Sequence, residues 1–150
     1  MYLSRFLCLV LPTEHYLNQW NTTSLTNLDG TFYSATNFNG NISNWNVGKV
    51  TNIKEMFRNT FFFNQSLGNW DVRNVTNMDQ VFQGASKFDQ NISSWNVSQV
   101  TLMRWMFDGA TKFNQNLSSW DVDQVTACGS FNASTPAWSS PKPTFSSCTP

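Results

Sequence analysis

The chain is poor in the groups that do chemistry. It has one histidine, His15, and three cysteines in 150 residues. No cluster of Cys and His has the spacing of a metal site. No Gly-x-Ser-x-Gly, phosphate-binding loop, dinucleotide fingerprint or calcium-binding Gly-Gly-x-Gly-x-Asp repeat occurs. His15 stands alone and reads as an exposed turn residue rather than a base. Charge is scarce as well. Nine basic residues balance nine acidic ones, without a patch or run of either sign. That argues against nucleic acid or an anionic membrane surface as partner. No apolar run is long enough to form a transmembrane segment. The expectation is therefore no catalysis, no cofactor and no metal.

What is abundant is ordered at a fixed step. Trp20, Trp45, Trp70, Trp95 and Trp120 recur every 25 residues. Val47, Val72, Val97 and Val122 keep the same step, as do Val50, Val75, Val100 and Val125, each followed by Thr. Phe32, Phe57, Phe82 and Phe107 form another column, Phe38, Phe63, Phe88 and Phe113 a further one, and Ile42, Leu67, Ile92 and Leu117 one more. Self-similarity at such a period marks a repeat architecture whose units bury their apolar faces on one another.

One unit, "FNGNISNWNVGKVTNIKEMFRNT" (38–60), shows two patterns. Ile42, Trp45 and Val47 have the spacing of a leucine-rich-repeat strand, with period-two alternation. Val50, Ile53, Met56 and Phe57 fall at i, i+3, i+6 and i+7, which predicts a short helix. Thr51 stands at an N-cap position, and Thr76 with Asp79 makes a weak capping box. The expected fold is an α/β solenoid. It is a leucine-rich-repeat-like, right-handed stack of about five coils, with a parallel β-sheet on one face and short α or 3-10 helices on the other. The tryptophans then point inward as core rather than forming a sugar-stacking row. The domain reading is an apolar leader or cap over 1–16, the repeats over 17–128, and a Ser/Pro-rich cap or tail over 129–150.

The strings "FNQNLSSWDVDQVT" (113–126) and "VTNMDQVFQGASKFDQNISSWNVS" (75–98) resemble the BspA-like leucine-rich-repeat surface proteins. More closely they are similar to the variant of roughly 25–26 residues found in mycoplasma surface lipoproteins and in some protists and algae. The resemblance spans roughly residues 17–128. It implies a secreted or cell-surface location and a role in adhesion or interaction, and it brings no catalytic residues with it.

The two ends leave the repeat. "MYLSRFLCLVLP" has the outline of a secretory signal, with Arg5 before an apolar run, yet the run is short and no A-x-A site follows. The rival reading is an apolar cap folded over the first coil. At the other end Cys128 occupies the column of Ile53, Met78 and Met103, so its side chain should point inward. A Cys128–Cys148 disulfide would staple a C-terminal cap in which Trp138 or Phe145 covers the last coil; the alternative is two free thiols. N-glycosylation acceptors start at Asn21, Asn41, Asn64, Asn74, Asn91, Asn96, Asn116 and Asn132, each a weak signal in so Asn-rich a chain.

Two surfaces are candidates for contact. Asn21, Asn46, Asp71, Asn96 and Asp121 should project as a polar stripe opposite the core. Asp71 and Asp121, two coils apart, lie at about the far edge of an inverting glycosidase pair. Nothing in the neighbouring columns would raise the pKa of one of them, so a solvated ladder or contact surface is the preferred reading over catalysis or calcium. Asn39, Asn64, Asp89 and Asn114, with Gln65, Gln90 and Gln115, read as ladders that satisfy backbone groups at the corner after each phenylalanine. The second surface comes from aromatics that break their columns. Tyr33 stands where other coils have Arg58, Gln83 and Asp108. Phe61 and Phe62 stand among Thr, Ser, Asn and Lys. Trp105 shares a column with Gly30, Glu55 and Gln80, with Arg104 beside it. Exposed aromatics of this kind mark contact surfaces, unless they pack between coils. The functional expectation is a non-catalytic recognition or adhesion module acting through protein or glycan contacts. The alternative is a structural subunit that self-associates by its ends or faces.

Overall fold

The structure, a computed structural model, describes residues 14–150. The leader or signal expected over the first residues lies outside the described residues, apart from a 3-10 turn at Glu14–Gln19.

Each coil is a succession of tight turns. Small polar residues begin them. The Oδ1 atoms of Asn46, Asp71, Asn96 and Asp121 each accept the backbone N–H two residues on, a local bond that competes with extended structure. The N–H groups of Trp45, Trp70, Trp95 and Trp120 donate to the carbonyls of Ile42, Leu67, Ile92 and Leu117 at 3.0–3.1 Å. Those of Val50, Val75, Val100 and Val125 donate to Val47, Val72, Val97 and Val122.

The expected alternation of strand and helix is overturned. Among the described residues the Glu14–Gln19 turn is the sole helical element. Extended pairing is reduced to isolated parallel bridges, Asn27↔Asn52, Asn52↔Asn77, Asn77↔Leu102 and Leu102↔Ala127. There is no parallel sheet on one face and no row of helices on the other, so the leucine-rich-repeat-like α/β architecture does not describe this chain. The physical reason lies in two places. Around Trp45–Val50 the Asn46 turn and the Val47–Val50 turn bend the backbone where a strand was expected. In the Val50–Phe57 region the i, i+3 spacing is real, but it is met by consecutive i→i+3 turns. The N–H groups of Met56, Arg58 and Thr60 bond back to Ile53, Glu55 and Phe57. Those of Ile53, Glu55, Phe57 and Asn59 instead leave the coil for the carbonyls of Asn77, Asp79, Val81 and Gln83.

That alternation repeats in every coil and joins the stack. Leu28, Gly30, Phe32 and Ser34 donate to Asn52, Lys54, Met56 and Arg58, and Met103, Trp105, Phe107 and Gly109 to Ala127, Gly129, Phe131 and Ala133. The thread returns once per coil through Thr51, Thr76, Thr101 and Thr126, whose N–H and Oγ1 both bond the carbonyl of the Thr 25 positions back. The ribbon needs left-handed residues at two places per coil. One column is Gly30, Glu55, Gln80, Trp105 and Ser130; the other is Ser34, Asn59, Gly84, Gly109 and Ser134, all with φ between 51° and 73°. Several sit at the third residue of their turn, where a type II turn requires positive φ. At Gly84 a Cβ would meet Asn59 Oδ1 at 2.5 Å, so that position also needs the missing side chain.

Inside, the aromatic columns run parallel to the stack. Phe32, Phe57, Phe82 and Phe107 lie 5.6–5.7 Å apart, nearly coplanar, and Phe38, Phe63, Phe88 and Phe113 flank them at 5.6–6.0 Å. The tryptophans are buried. Each indole N–H of Trp45, Trp70, Trp95 and Trp120 donates to a carbonyl of the preceding coil, at Leu17, Ile42, Leu67 and Ile92, which removes the cost of burying that donor. At the C-terminal end the register continues to Ser139, with Trp138 in the phenylalanine column. Trp138 meets Phe107 and Phe113 edge-on, at 73° and 84°, and Phe145 meets Phe131 edge-on. Cys128, fully buried, is bonded to Cys148, so the closing segment is stapled beneath the last coil.

Candidate functional site

Of the column-breaking aromatics, three are exposed: Phe61 at 44%, Phe62 at 54% and Trp105 at 39%, and these are the exposed large apolar side chains of the described residues. Tyr33 differs. It is half-buried, and the Arg58 guanidinium lies 5.3 Å over its ring.

Phe61 and Phe62 sit on a corner whose backbone is held from both sides. Phe62 N–H donates to Thr36 O at 3.2 Å, and Phe61 O accepts from Lys87 N–H at 3.1 Å and Ser86 Oγ at 3.3 Å. Trp105 stands two coils further on, roughly 10 Å along the stack, on a residue with φ 51°. A bulky residue is an outlier in that region. Its N–H is fixed to Gly129 O at 3.1 Å. The ring lies beside Arg104, whose guanidinium carbon is 5.8 Å from its centroid.

Arg104 is held by a residue the sequence did not single out. In three coils an asparagine caps the N–H two residues on: Asn27 for Asp29, Asn52 for Lys54, Asn77 for Asp79, at 2.8–3.0 Å. Leu102 breaks that column. Asp79, in the preceding coil, takes over: its carboxylate accepts Arg104 N–H at 2.7 Å, Nε at 3.0 Å and Nη2 at 2.5 Å. The hydrogen bond to Asp79, reinforced by its charge, pushes the Arg104 pKa up. The signal that could have found this was the Leu in an Asn column, read together with an acid 25 residues before the arginine.

The polar stripe is exposed throughout, at Asn21, Asn46, Asp71, Asn96 and Asp121. Its side chains are committed to the local turns already described, Asn21 to Thr23 among them. Asp71 also receives Arg73 Nε at 2.8 Å, and this hydrogen bond lowers its pKa. The corner ladder is a chain of side-chain oxygens on the next coil's backbone: Asn39 to Asn64, Asn64 to Asp89, Asp89 to Asn114, Asn114 to Ser139, at 2.9–3.0 Å.

The glycosylation acceptors fall into distinct settings. Asn21, Asn41, Asn96 and Asn116 accept both the N–H and the hydroxyl of their own Thr or Ser, and Asn91 the N–H of Ser93. Asn64 is tied to Asp89 and Gln90, and Asn74 donates Nδ2 to Gly48 O at 2.7 Å. Asn132 is half-buried. Among the described residues no group of three or more His, Cys, Asp or Glu is placed to hold a metal, and no helix is long and apolar enough to cross a membrane.

A family model described as "Mycoplasma protein of unknown function, DUF285" matches the chain twice, over residues 11–81 and 62–142. The chain belongs to this family. The two matches are offset by about two coils, as a repeat of this period requires. No curated protein and no solved structure matches the chain.

Proposed function

We propose that the protein is a non-catalytic recognition or adhesion module of the cell surface, and that Phe61, Phe62 and Trp105 are its contact residues. The observation that carries this reading is their exposure in a molecule that buries its other large apolar side chains. Large exposed aromatics on a rigid backbone are costly in water and suit an interface, where Trp, Phe and Arg are enriched. Arg104, clamped by Asp79 and half exposed, presents a charge at a fixed position beside Trp105. The resemblance to the BspA-like surface proteins, and membership of a mycoplasma repeat family, support a surface location. The partner is a protein or a glycan.

The test is to restore the column consensus with Trp105→Gln and with Phe61→Thr/Phe62→Lys. Loss of surface adhesion at an unchanged melting temperature supports the reading. A loss of stability above about 2 kcal/mol, with adhesion intact at temperatures where the variant is folded, makes them packing residues instead. Loss of binding on substituting Asn96 and Asp121, with no effect at the aromatics, moves the contact to the polar stripe.

A further inference from the structure

Every junction in the stack has the same polarity. The N–H groups of one coil point to the carbonyls of the coil that follows it in sequence. The last coil therefore ends in donors. Among the described residues the N–H groups of Cys128, Ser130, Asn132 and Ser134, the column equivalents of Met103, Trp105, Phe107 and Gly109, bond no acceptor. The closing segment covers the aromatic core through Trp138 and Phe145 but forms no backbone bond to this row. Gly129, Ser130, Ala133 and Ser134 are exposed, and a Cβ on Gly129 would meet nothing within 4 Å. At the opposite end the first coil ends in acceptors. The carbonyls of Asn27, Asp29 and Thr31, equivalents of Asn52, Lys54 and Met56, receive no N–H among the described residues. Asp29 Oδ1 is buried there without a hydrogen-bond partner.

Proteins guard an open backbone edge with charge, proline or bulk. The interior segments of this ribbon are charged: "DGTFYS" (29–34), "KEMFRN" (54–59), "DQVFQG" (79–84) and "RWMFDG" (104–109) each carry at least one ionised residue. The edge segment, "GSFNAS" (129–134), carries none. The row is open and unguarded.

We infer that this edge docks the first coil of a second copy of the chain. The donors of Cys128, Ser130 and Asn132 meet the partner copy's carbonyls at residues 27, 29 and 31, and the docking continues the coil-to-coil junction already used within the molecule. Conformation selects the occupant. An ordinary strand advances about 6.6 Å per two residues, whereas a ribbon of consecutive turns is shorter per residue, so a regular strand falls out of register. A coil of the same kind keeps it. The contact is heterologous and does not close on itself, so it yields a series of oligomers rather than a fixed dimer. It rests on residues distinct from Phe61, Phe62 and Trp105 and stands or falls separately from their role.

The register supplies a sharp test. Position 129 of one copy would lie directly beneath Asp29 of the next. Gly129→Glu places like charges on adjacent coils, and Gly129→Lys places opposite ones, as Lys54 does above Asp29 within the chain. At about 5 Å the like pair should weaken association at least about fourfold. Sedimentation velocity of the oxidised full chain over a range of concentrations is the assay, with amide exchange at Ser130 and Asn132 as a direct readout. The expected result is concentration-dependent oligomers, slower exchange at both amides as concentration rises, loss of oligomer with Gly129→Glu and retention with Gly129→Lys. A monomer at all concentrations overturns the inference. So does association that ignores both Gly129 variants, responds equally to them, or disappears with Phe61→Thr/Phe62→Lys alone.

Discussion

Asp79→Ala tests whether neighbouring coils are locked by side chains as well as by backbone. The carboxylate, with its side chain only 3% exposed, accepts three bonds from Arg104, one of them from the backbone. Bonds to charged groups are worth about 1.5–3 kcal/mol. Arg104 is 45% exposed on its side chain, so water recovers part of its share. The backbone part resembles a lost cap, about 1 kcal/mol. Together the loss should be about 2 kcal/mol. In a domain of this size that lowers the melting temperature by about 4–8 °C, read by tryptophan fluorescence or circular dichroism. The rescue is specific. Leu102→Asn restores the column's own cap, in the way Asn52 caps Lys54 at 3.0 Å. It should return about 1 kcal/mol in the Asp79→Ala background and little in the wild type, where that N–H is already bonded. If Leu102→Asn has the same effect in both backgrounds, the two caps do not substitute for each other and the account of Arg104 is wrong.

Trp70→Ala removes a buried indole and its bond to Ile42 O at 3.2 Å, and should cost about 3–5 kcal/mol by denaturant unfolding; an unchanged midpoint would place the tryptophans outside the core. Cys148→Ser opens a loop with a sequence separation of 20 and should cost about 3 kcal/mol, while alkylation of the native protein without reductant should label neither Cys128 nor Cys148. Asp71 has a folded pKa lowered chiefly by the Arg73 hydrogen bond. Its stabilising contribution is therefore present above the ordinary carboxylate range and lost as pH falls through the depressed value. The group is exposed, so the effect on stability should be small. The observable is an NMR titration in which Arg73→Ala returns the Asp71 midpoint toward its ordinary value.

The column arithmetic was legible in the sequence because side-chain burial repeats with the coil. Trp70, Phe57 and Val75 are inside, Cys128 points inward to its bridge, and Phe61, Phe62 and Trp105 are exposed. The backbone path was not legible. A spacing such as Val50, Ile53, Met56 and Phe57 suits a short helix and a ribbon of i→i+3 turns alike. Glycine would have marked the left-handed positions, but Glu55, Gln80, Trp105 and Ser130 occupy one of the two columns after Gly30. The strand around Trp45 failed because the Asn46 side chain turned the chain locally, a choice decided by one hydrogen bond. The clamp on Arg104 was hidden for a different reason: its partner is 25 residues away, and only the stack brings them together.

Trp105 carries two separate costs. Its ring is 39% exposed, and its backbone is left-handed, which for a bulky residue costs of order 1–3 kcal/mol. Neither is required by the stack, since Gly30 meets the same backbone demand at no steric cost. The choice of substitution decides which cost is measured. Trp105→Gly would relieve the backbone and remove the ring at once, and the two effects oppose each other in stability. Trp105→Gln keeps the backbone cost, because Gln80 holds φ 59° in the same column, and alters only the ring. A stability change within about 0.5 kcal/mol in Trp105→Gln would mean that the ring contributes little to the fold. Loss of adhesion in that same variant would then be attributable to the indole surface itself. Should stability instead fall by more than about 2 kcal/mol, the buried part of the ring is a packing element between coils and the contact surface reduces to Phe61 and Phe62.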